Sequence, residues 1–463
     1  MDINKRIDEM KNDIVNSVQE IVKIRSLEGE PKPNKPFGEE VDNALQCALE
    51  ISKKLGFKTV NVDGYAGYAE YGDGEEYVAA LGHIDLVPEG DDWIHPPYGA
   101  EIHDGKIYGR GTTDDKGPII ACLYGLKAIK DLGLPLSKKI RIIFGTNEET
   151  GGEDIPYYLQ KEPAPVAAFT PDADFPIING EKGITIFDLV KEFSSPAAGE
   201  IVIESIIGGN AANMVPDYAE ALLTCKNTEE VVEKLKKFAS ENNYDMTSEI
   251  NDSKLKIKSK GVSGHGSTPE LGKNAIMQLI VFLASLDLSD DDLSNYIKFL
   301  GEKIGMDLYG EKFGIYLEDK ESGKLSFNVG KININENKGI VTLNLRYPVT
   351  KTLDDMMKPV NKTLEGTGIT IENFSHQEPL YFSPDHPLIQ SLAKVYNEQT
   401  GKKSELISIG GGTYAKEMPN TVAFGPIFPG EPCTIHQPNE YIEIEDLINI
   451  TKIYAHSLYE LAK

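Results

Sequence analysis

The chain has 463 residues, 40% hydrophobic and 26% charged, a globular composition too long for one ordinary core. Its formal net charge of −26 argues against a nucleic-acid partner, because phosphate binding depends on Lys and Arg. Cys47, Cys122, Cys225 and Cys433 are widely spaced without a CxxC pattern, which excludes a disulfide framework or zinc ribbon and fits a reducing cytoplasm.

No apolar run approaches the length that crosses a bilayer, and the first residues lack a signal-peptide core, so no membrane partner is expected. Ile3, Ile7, Met10, Ile14, Val18 and Ile21 recur at helical spacing and predict one amphipathic helix over 3–25. Helical patterns at 39–55 and 116–132 follow, with strands near 76–83, 139–145 and 165–170. Such alternation predicts an α/β domain with helices packed on a mainly parallel sheet. From residue 184 the pattern changes to alternating or hairpin-like strands, as in KLKIKSKGVSG and GIVTLNLRYPV, with helices at 228–242, 272–286 and 353–365. After 380 a helix over 386–400, the strand TVAFGPI and a helix over 445–462 restore the first pattern. The expected architecture is a split α/β catalytic domain, 1–183 and 380–463, carrying an inserted α+β lid domain over 184–379.

The chemistry concentrates where predicted strands run out. GHIDLVP places His83 at a strand end with Asp85 two residues on, on the same side of an extended chain. A carboxylate so placed can take the proton of one imidazole nitrogen while the other binds a cation. GRGTTDDKGP sets Asp114 and Asp115 at the start of a helix, where acidic residues are ordinary caps. GTNEETGG sets Glu148 and Glu149 beyond a second strand, TPDADFP sets Asp172 and Asp174 beyond a third, and IHQPNEY holds His436. Singly, each reads as a cap, a turn or solvated charge. Together they gather at the carboxyl edge of an open α/β sheet, where ligands bind. Two histidines and three carboxylates suit zinc, with cobalt or manganese also compatible. A shared carboxylate would make a two-metal hydrolytic site, and a further glutamate could take a proton from water there.

The motifs GHIDLVP, YGRGTTDDKGP, GTNEETGG, TPDADFPIINGEKG and IHQPNEY resemble those of the M20 metallopeptidase family, most closely its bacterial peptidase V branch of dipeptidases, related to carnosinases. The resemblance runs in order along nearly the whole chain. It implies two Zn2+ ions, with Mn2+ or Co2+ as substitutes, His83 and Asp172 on one, Glu149 and His436 on the other, and Asp114 bridging. It implies Glu148 as general base, Asp85 as partner of His83, and a cis peptide bond after Asp114. It also implies that His265, in KGVSGHGSTPE, polarises the scissile carbonyl, and that Asn213 and Arg346 hold substrate. The run IGGGTYAKE lacks the GxxxxGK[ST] pattern of a phosphate loop. By resemblance Gly411, Gly412 and Thr413 form a substrate-binding loop instead.

The implied activity is hydrolysis of dipeptides, β-alanyl dipeptides among them, by a cytoplasmic monomer. Alternatives within the fold are an aminoacylase, a desuccinylase or an aminotripeptidase, and outside it a metal-binding scaffold without catalysis. His95, His103, His376, His386 and His456 match no ligand position and are read as structural or surface residues.

Overall fold

The computed structural model describes residues 2–194 and 199–463. The chain forms two compact units, one of Met1–Gly180, Phe382–Ile407 and Gly412–Lys463, the other of Glu181–Tyr381 and Ser408–Gly411.

In the first unit Tyr77–His83 is buried along its whole length, and Lys139–Gly145 and Ala167–Thr170 nearly so. Continuous apolar runs of this kind suit parallel strands covered on both faces. Six strands of a nine-stranded sheet run in the order Lys58–Val62, Ala66–Tyr71, Lys139–Gly145, Tyr77–His83, Ala167–Thr170, Thr421–Ala423. The last four are mutually parallel, and the first two are antiparallel to their neighbours. His83 pairs with Gly145 in register, so both chains leave the sheet at one level.

The helix Lys116–Asp131 is buried on almost every side, as its near-continuous IIACLYGL requires. Gly125 lets the C-terminal helix Ile444–Ala462 come close: a Cβ there would lie 3.0 Å from the Ala455 nitrogen. Ile119, Ile120, Leu123 and Leu126 are fully buried, each contributing roughly 1.5–3 kcal/mol by transfer from water.

The single N-terminal helix predicted over 3–25 is two, Ile3–Glu9 and Lys11–Val22. Met10 (φ −93°, ψ 3°) leaves helical geometry, and its amide bonds to the Ile7 carbonyl at 3.0 Å, a tightened turn. Ile7, Met10, Ile14, Val18 and Ile21 are all buried nonetheless. Periodicity reports the buried face and is blind to a one-residue break that preserves it.

The second unit is built on an eight-stranded sheet in the order Asp245–Asn251, Lys254–Lys260, Tyr218–Cys225, Ile201–Gly208, Ser326–Ile334, Lys338–Tyr347, Gly183–Glu192, Thr370–Gln377. Every pairing is antiparallel. Helices Thr228–Asn242, Ala275–Ala284 and Leu353–Leu364 fall where their patterns place them. A fourth, Asp292–Lys303, was not predicted, although Leu293, Tyr296, Ile297 and Leu300 form a buried stripe at helical spacing and Asp291 caps it. Among the described residues no helix is long and apolar enough to cross a membrane.

Candidate metal centre

Three strand ends and one helix start build the site, all within the first unit. His83 is the last residue of Tyr77–His83 and is fully buried. Glu148 and Glu149 follow Lys139–Gly145, Asp172 follows Ala167–Thr170, and Asp114 lies just before Lys116–Asp131. His436 comes from the loop ahead of the C-terminal helix, with φ 61°.

These side chains converge. His83 Nε2 lies 2.8 Å from Asp114 Oδ1 and 3.7 Å from Asp172 Oδ2. His436 Nε2 lies 2.9 Å from Asp114 Oδ2 and 3.0 Å from Glu149 Oε1. The result is two three-residue groups, His83–Asp114–Asp172 and Asp114–Glu149–His436, each with ligand atoms within 4.8 Å of one another. Asp114 belongs to both, through different oxygens.

The supports are buried carboxylates. Asp85 accepts the backbone amides of Glu148 at 3.2 Å and Glu149 at 3.0 Å. Its carboxylate lies 3.5 Å from His83 Nδ1, while its own carbonyl oxygen is nearer, at 3.1 Å. The imidazole is thus oriented mainly by the carbonyl, because the carboxylate is engaged by the glutamate backbone. Asp154 accepts the amides of Thr146 at 2.6 Å and Asn147 at 3.1 Å, and the Tyr414 hydroxyl also donates to it. Two carboxylates therefore hold 146–149 from below.

Asp115 occupies the N-cap position of Lys116–Asp131 but makes no side-chain cap. It accepts the His83 amide at 3.2 Å instead. Gly82 permits this, since a Cβ there would meet Asp115 Oδ2 at 2.0 Å. The Asp114–Asp115 peptide bond is cis.

Glu440 is a buried neighbour of these ligands that is absent from the residues expected from the sequence. It is fully buried, pairs with Arg110 at 2.7 Å, and accepts the amides of Gly111, Thr113 and Asp114 at 3.1, 3.0 and 3.3 Å. The residue sits inside the IHQPNEY motif, but nothing in that motif distinguishes a buried backbone anchor from a surface glutamate.

The electrostatics follow from crowding negative charge out of water. Burial pushes the Asp172 carboxyl well up, and the Asp114 charge adds to it. Burial likewise raises Glu148, reinforced by Asp172, and Glu149, reinforced by Asp114. Burial raises Glu440 to about 7, again with Asp114 adding. Burial alone would lower His436, but its bonds to Asp114 and Glu149 raise it to about 11. His83 moves upward for the same reason, through Asp114 and Asp85. Asp114 goes the other way: burial is outweighed by its two histidines. Imidazole nitrogen and carboxylate oxygen gathered at one point form the donor set for borderline divalent cations, and positive charge there offsets the repulsion.

Most of the other predicted residues have their own surroundings in the second unit. His265 Nδ1 lies 2.5 Å from Ser267 Oγ, in a short strand paired with Met214–Val215. The Asn213 carbonyl accepts the Gly266 amide at 2.7 Å, so Asn213 and the His265 turn are joined through the backbone. Arg346 is buried, with Nε on Asn344 Oδ1 at 3.0 Å and a guanidinium N–H donating to the Gly410 carbonyl. Burial lowers its pKa to about 10. Gly411 falls in the second unit, whereas Gly412 and Thr413 fall in the first, where the Thr413 hydroxyl accepts the Ala415 amide at 3.1 Å.

A parallel-sheet edge carrying two histidines and several carboxylates, with one aspartate common to both ligand groups, has the make-up of a metal-dependent hydrolase. The chain belongs to peptidase family M20/M25/M40, whose family model matches residues 79–460. YtjP of Bacillus subtilis (strain 168), provisionally named a dipeptidase, is 42% identical over 458 residues, covering 98% of this chain and 98% of that protein. The Beta-Ala-Xaa dipeptidase of Lactobacillus delbrueckii subsp. lactis is 37% identical over 472 residues, 100% of this chain and 99% of that one. Human carnosine dipeptidase 1 shares the fold, with a TM-score of 0.58 at 17% identity over 99% of this chain and 98% of that one. The family implies a divalent metal, and the two residue groups fit one.

Proposed function

We propose that the chain is a dipeptidase that works with two zinc ions, His83 and Asp172 holding one, Glu149 and His436 the other, and Asp114 both. The observation that carries this reading is Asp114, whose two oxygens each meet a different histidine. When bound, the cations supply Lewis-acid polarisation of the peptide carbonyl and a lowered pKa for water in the site. Glu148 takes the proton of the water whose oxygen bonds to the carbonyl carbon. It returns that proton to the amine nitrogen as the C–N bond breaks. Asp85 holds the Glu148–Glu149 backbone, Asp154 holds that of Thr146–Asn147 just before it, and Glu440 holds that of Asp114.

His265 serves as a donor to the developing oxyanion, while Asn213, Arg346 and the Gly411–Gly412–Thr413 loop bind substrate. Dipeptides, β-alanyl ones included, are the substrate class, as the names of the 42% and 37% identical relatives suggest. We read the enzyme as a cytoplasmic monomer. The test is hydrolysis of a panel of α- and β-alanyl dipeptides, tripeptides and N-acetyl amino acids after metal stripping and reloading with Zn2+, Mn2+ or Co2+. Metal-restored cleavage concentrated on dipeptides is expected. Preference for N-acetyl amino acids would make the chain an aminoacylase, and no turnover with any metal would favour a scaffold.

A further inference from the structure

A second group of potential ligands lies outside the centre described above. Glu101 and His103 are i and i+2 on the strand Glu101–His103, so they share one face. That strand pairs with Lys106–Tyr108 in the register Glu101↔Tyr108, Ile102↔Ile107 and His103↔Lys106. The connection is a tight two-residue turn, with Asp104 at φ 49° and Gly105 at φ 78°, the Asp-Gly chemistry of a hairpin matched to strand twist. Two of the three ligands therefore sit on a short, well-defined scaffold.

His95 comes from the preceding loop and is fixed separately. Asn439 Oδ1 accepts the amides of Ile94 at 2.7 Å and His95 at 3.3 Å. The His95 ring packs 4.3 Å from the Tyr108 ring and stacks on His103 at 4.2 Å, with 21° between planes. From these positions both imidazoles turn a nitrogen to the same oxygen. His103 Nε2 is 2.8 Å and His95 Nδ1 3.7 Å from Glu101 Oε2. The three ligand atoms lie within 4.8 Å of one another.

The cluster brings two imidazole nitrogens and a carboxylate oxygen into one small space, and a modest turn of the His95 ring out of the stack would aim both nitrogens at one cation. A tetrahedral zinc site with bonds near 2.0–2.1 Å separates its ligand atoms by about 3.3 Å, and the observed 2.8 and 3.7 Å bracket that value. Glu101 and His103 are each nearly half exposed, which leaves entry from solvent and room for a water ligand.

We propose that His95, Glu101 and His103 form a peripheral binding site for a late first-row divalent cation, Zn2+ being the probe. The nitrogen-rich donor set selects against Mg2+, which prefers oxygen ligands and keeps its waters. The site is tied to the main centre through Asn439 and through the strand Tyr441–Glu443, which pairs with Lys106–Tyr108 just after the His436 loop. A cation here joins loop to hairpin and stabilises the folded state by mass action. This inference does not depend on the dipeptidase reading.

The test is equilibrium dialysis of the full chain against Zn2+ at matched free concentrations, with thermal melting as a second readout. Wild type is expected to hold one zinc more than the H95A/H103A double variant, and to show a larger zinc-dependent rise in Tm. The double variant should retain the turnover of wild type, which certifies its fold. H103Q, altering one exposed ring, should weaken the extra zinc at least tenfold and serves if the double variant misfolds. Equal zinc content and equal Tm response in wild type and the folded variants would overturn the proposal. So would an identical effect of Mg2+ at the same concentration.

Discussion

In the first unit the strand Tyr77–His83 is buried at every residue and ends directly in charge. In the second, Lys254–Lys260 alternates lysines with buried Leu255 and Ile257 and keeps its charge at the surface, paired as Lys256–Glu220 at 2.8 Å and Lys258–Glu249 at 2.6 Å. An antiparallel sheet with one wet face can carry many charges at little cost. A parallel sheet covered on both faces concentrates them beyond its strand ends, where each must be compensated. The contrast locates the chemistry: charge that is expensive to bury is gathered where cations can offset it.

The largest expected effect tests the two adjacent glutamates at that edge. Glu148→Ala should lower kcat by roughly 10²–10⁴-fold with metal content intact, the usual contribution of a general base. Glu149→Ala should lower metal content as well, because Glu149 lies 3.0 Å from His436 Nε2. Metal analysis alongside dipeptide turnover checks both, and the reverse pattern would exchange their roles.

The next effect asks whether the second unit contributes chemistry or scaffold only. His265→Ala should reduce kcat by about 10²–10³-fold, the size of one lost oxyanion donor, with metal content unchanged. Wild-type turnover in this variant would leave that unit's charges with purely surface roles and sharpen the contrast to its limit.

A third prediction concerns Lys116, a cation that the first unit buries completely, its ammonium donating to the Ile24 carbonyl at 2.6 Å. Burial lowers its pKa from 10.5 to about 7. The folded state then binds fewer protons than the unfolded chain between about pH 7 and 10.5. Stability from this group is full above the unfolded value and is lost as pH falls towards 7. Urea unfolding in chelator should show wild type gaining up to about 1.4 kcal/mol per pH unit in that window relative to Lys116→Met. Lys256→Met, in the half-buried surface pair with Glu220, should change stability by only about 0–1 kcal/mol at any pH. Equal pH slopes in wild type and Lys116→Met would mean that the buried ammonium carries no such penalty.

How far the sequence discloses these features depends on whether a feature is local. The strands at 77–83 and 139–145 announce themselves as short apolar runs, and the helix over 116–131 as a longer one. His83, Asp114, Glu149, Asp172 and His436 stand out because strand ends and glycine-rich turns flank them, and the structure brings all five together. Glu440, Asp154 and Tyr414 were missed because they act on backbone amides distant in sequence, and no residue pattern marks such a partner. The break at Met10 was invisible because it leaves the buried face unchanged. His95 and His103 read from the sequence as structural or surface residues, and the reason is again distance along the chain. The Asn439 anchor that brings His95 to the hairpin lies 344 residues away, and no local pattern marks it.

The smallest expected effect concerns substrate length. A dipeptide presents an amine and a carboxylate at fixed distances from one peptide bond. Arg346 is the fork assigned to the carboxylate, since a planar guanidinium pairs with it through two parallel bonds. Its Nε is held by Asn344 and one of its amino groups by the Gly410 carbonyl, so the fork cannot swing to follow a displaced charge. Adding a third residue moves the carboxylate away from the scissile bond by one residue, an extended length of about 3.3–3.6 Å. That is more than the tolerance of a hydrogen bond, so a tripeptide bound for cleavage at the same bond forfeits the pair. Dipeptides should therefore show kcat/KM at least tenfold above matched tripeptides, about 1.4 kcal/mol in transition-state binding. Arg346→Met should reduce that ratio towards unity by weakening dipeptides more than tripeptides. A ratio unchanged by the substitution would assign the discrimination to groups other than Arg346, and equal cleavage of both lengths by wild type would move the enzyme from dipeptidase to a broader aminopeptidase.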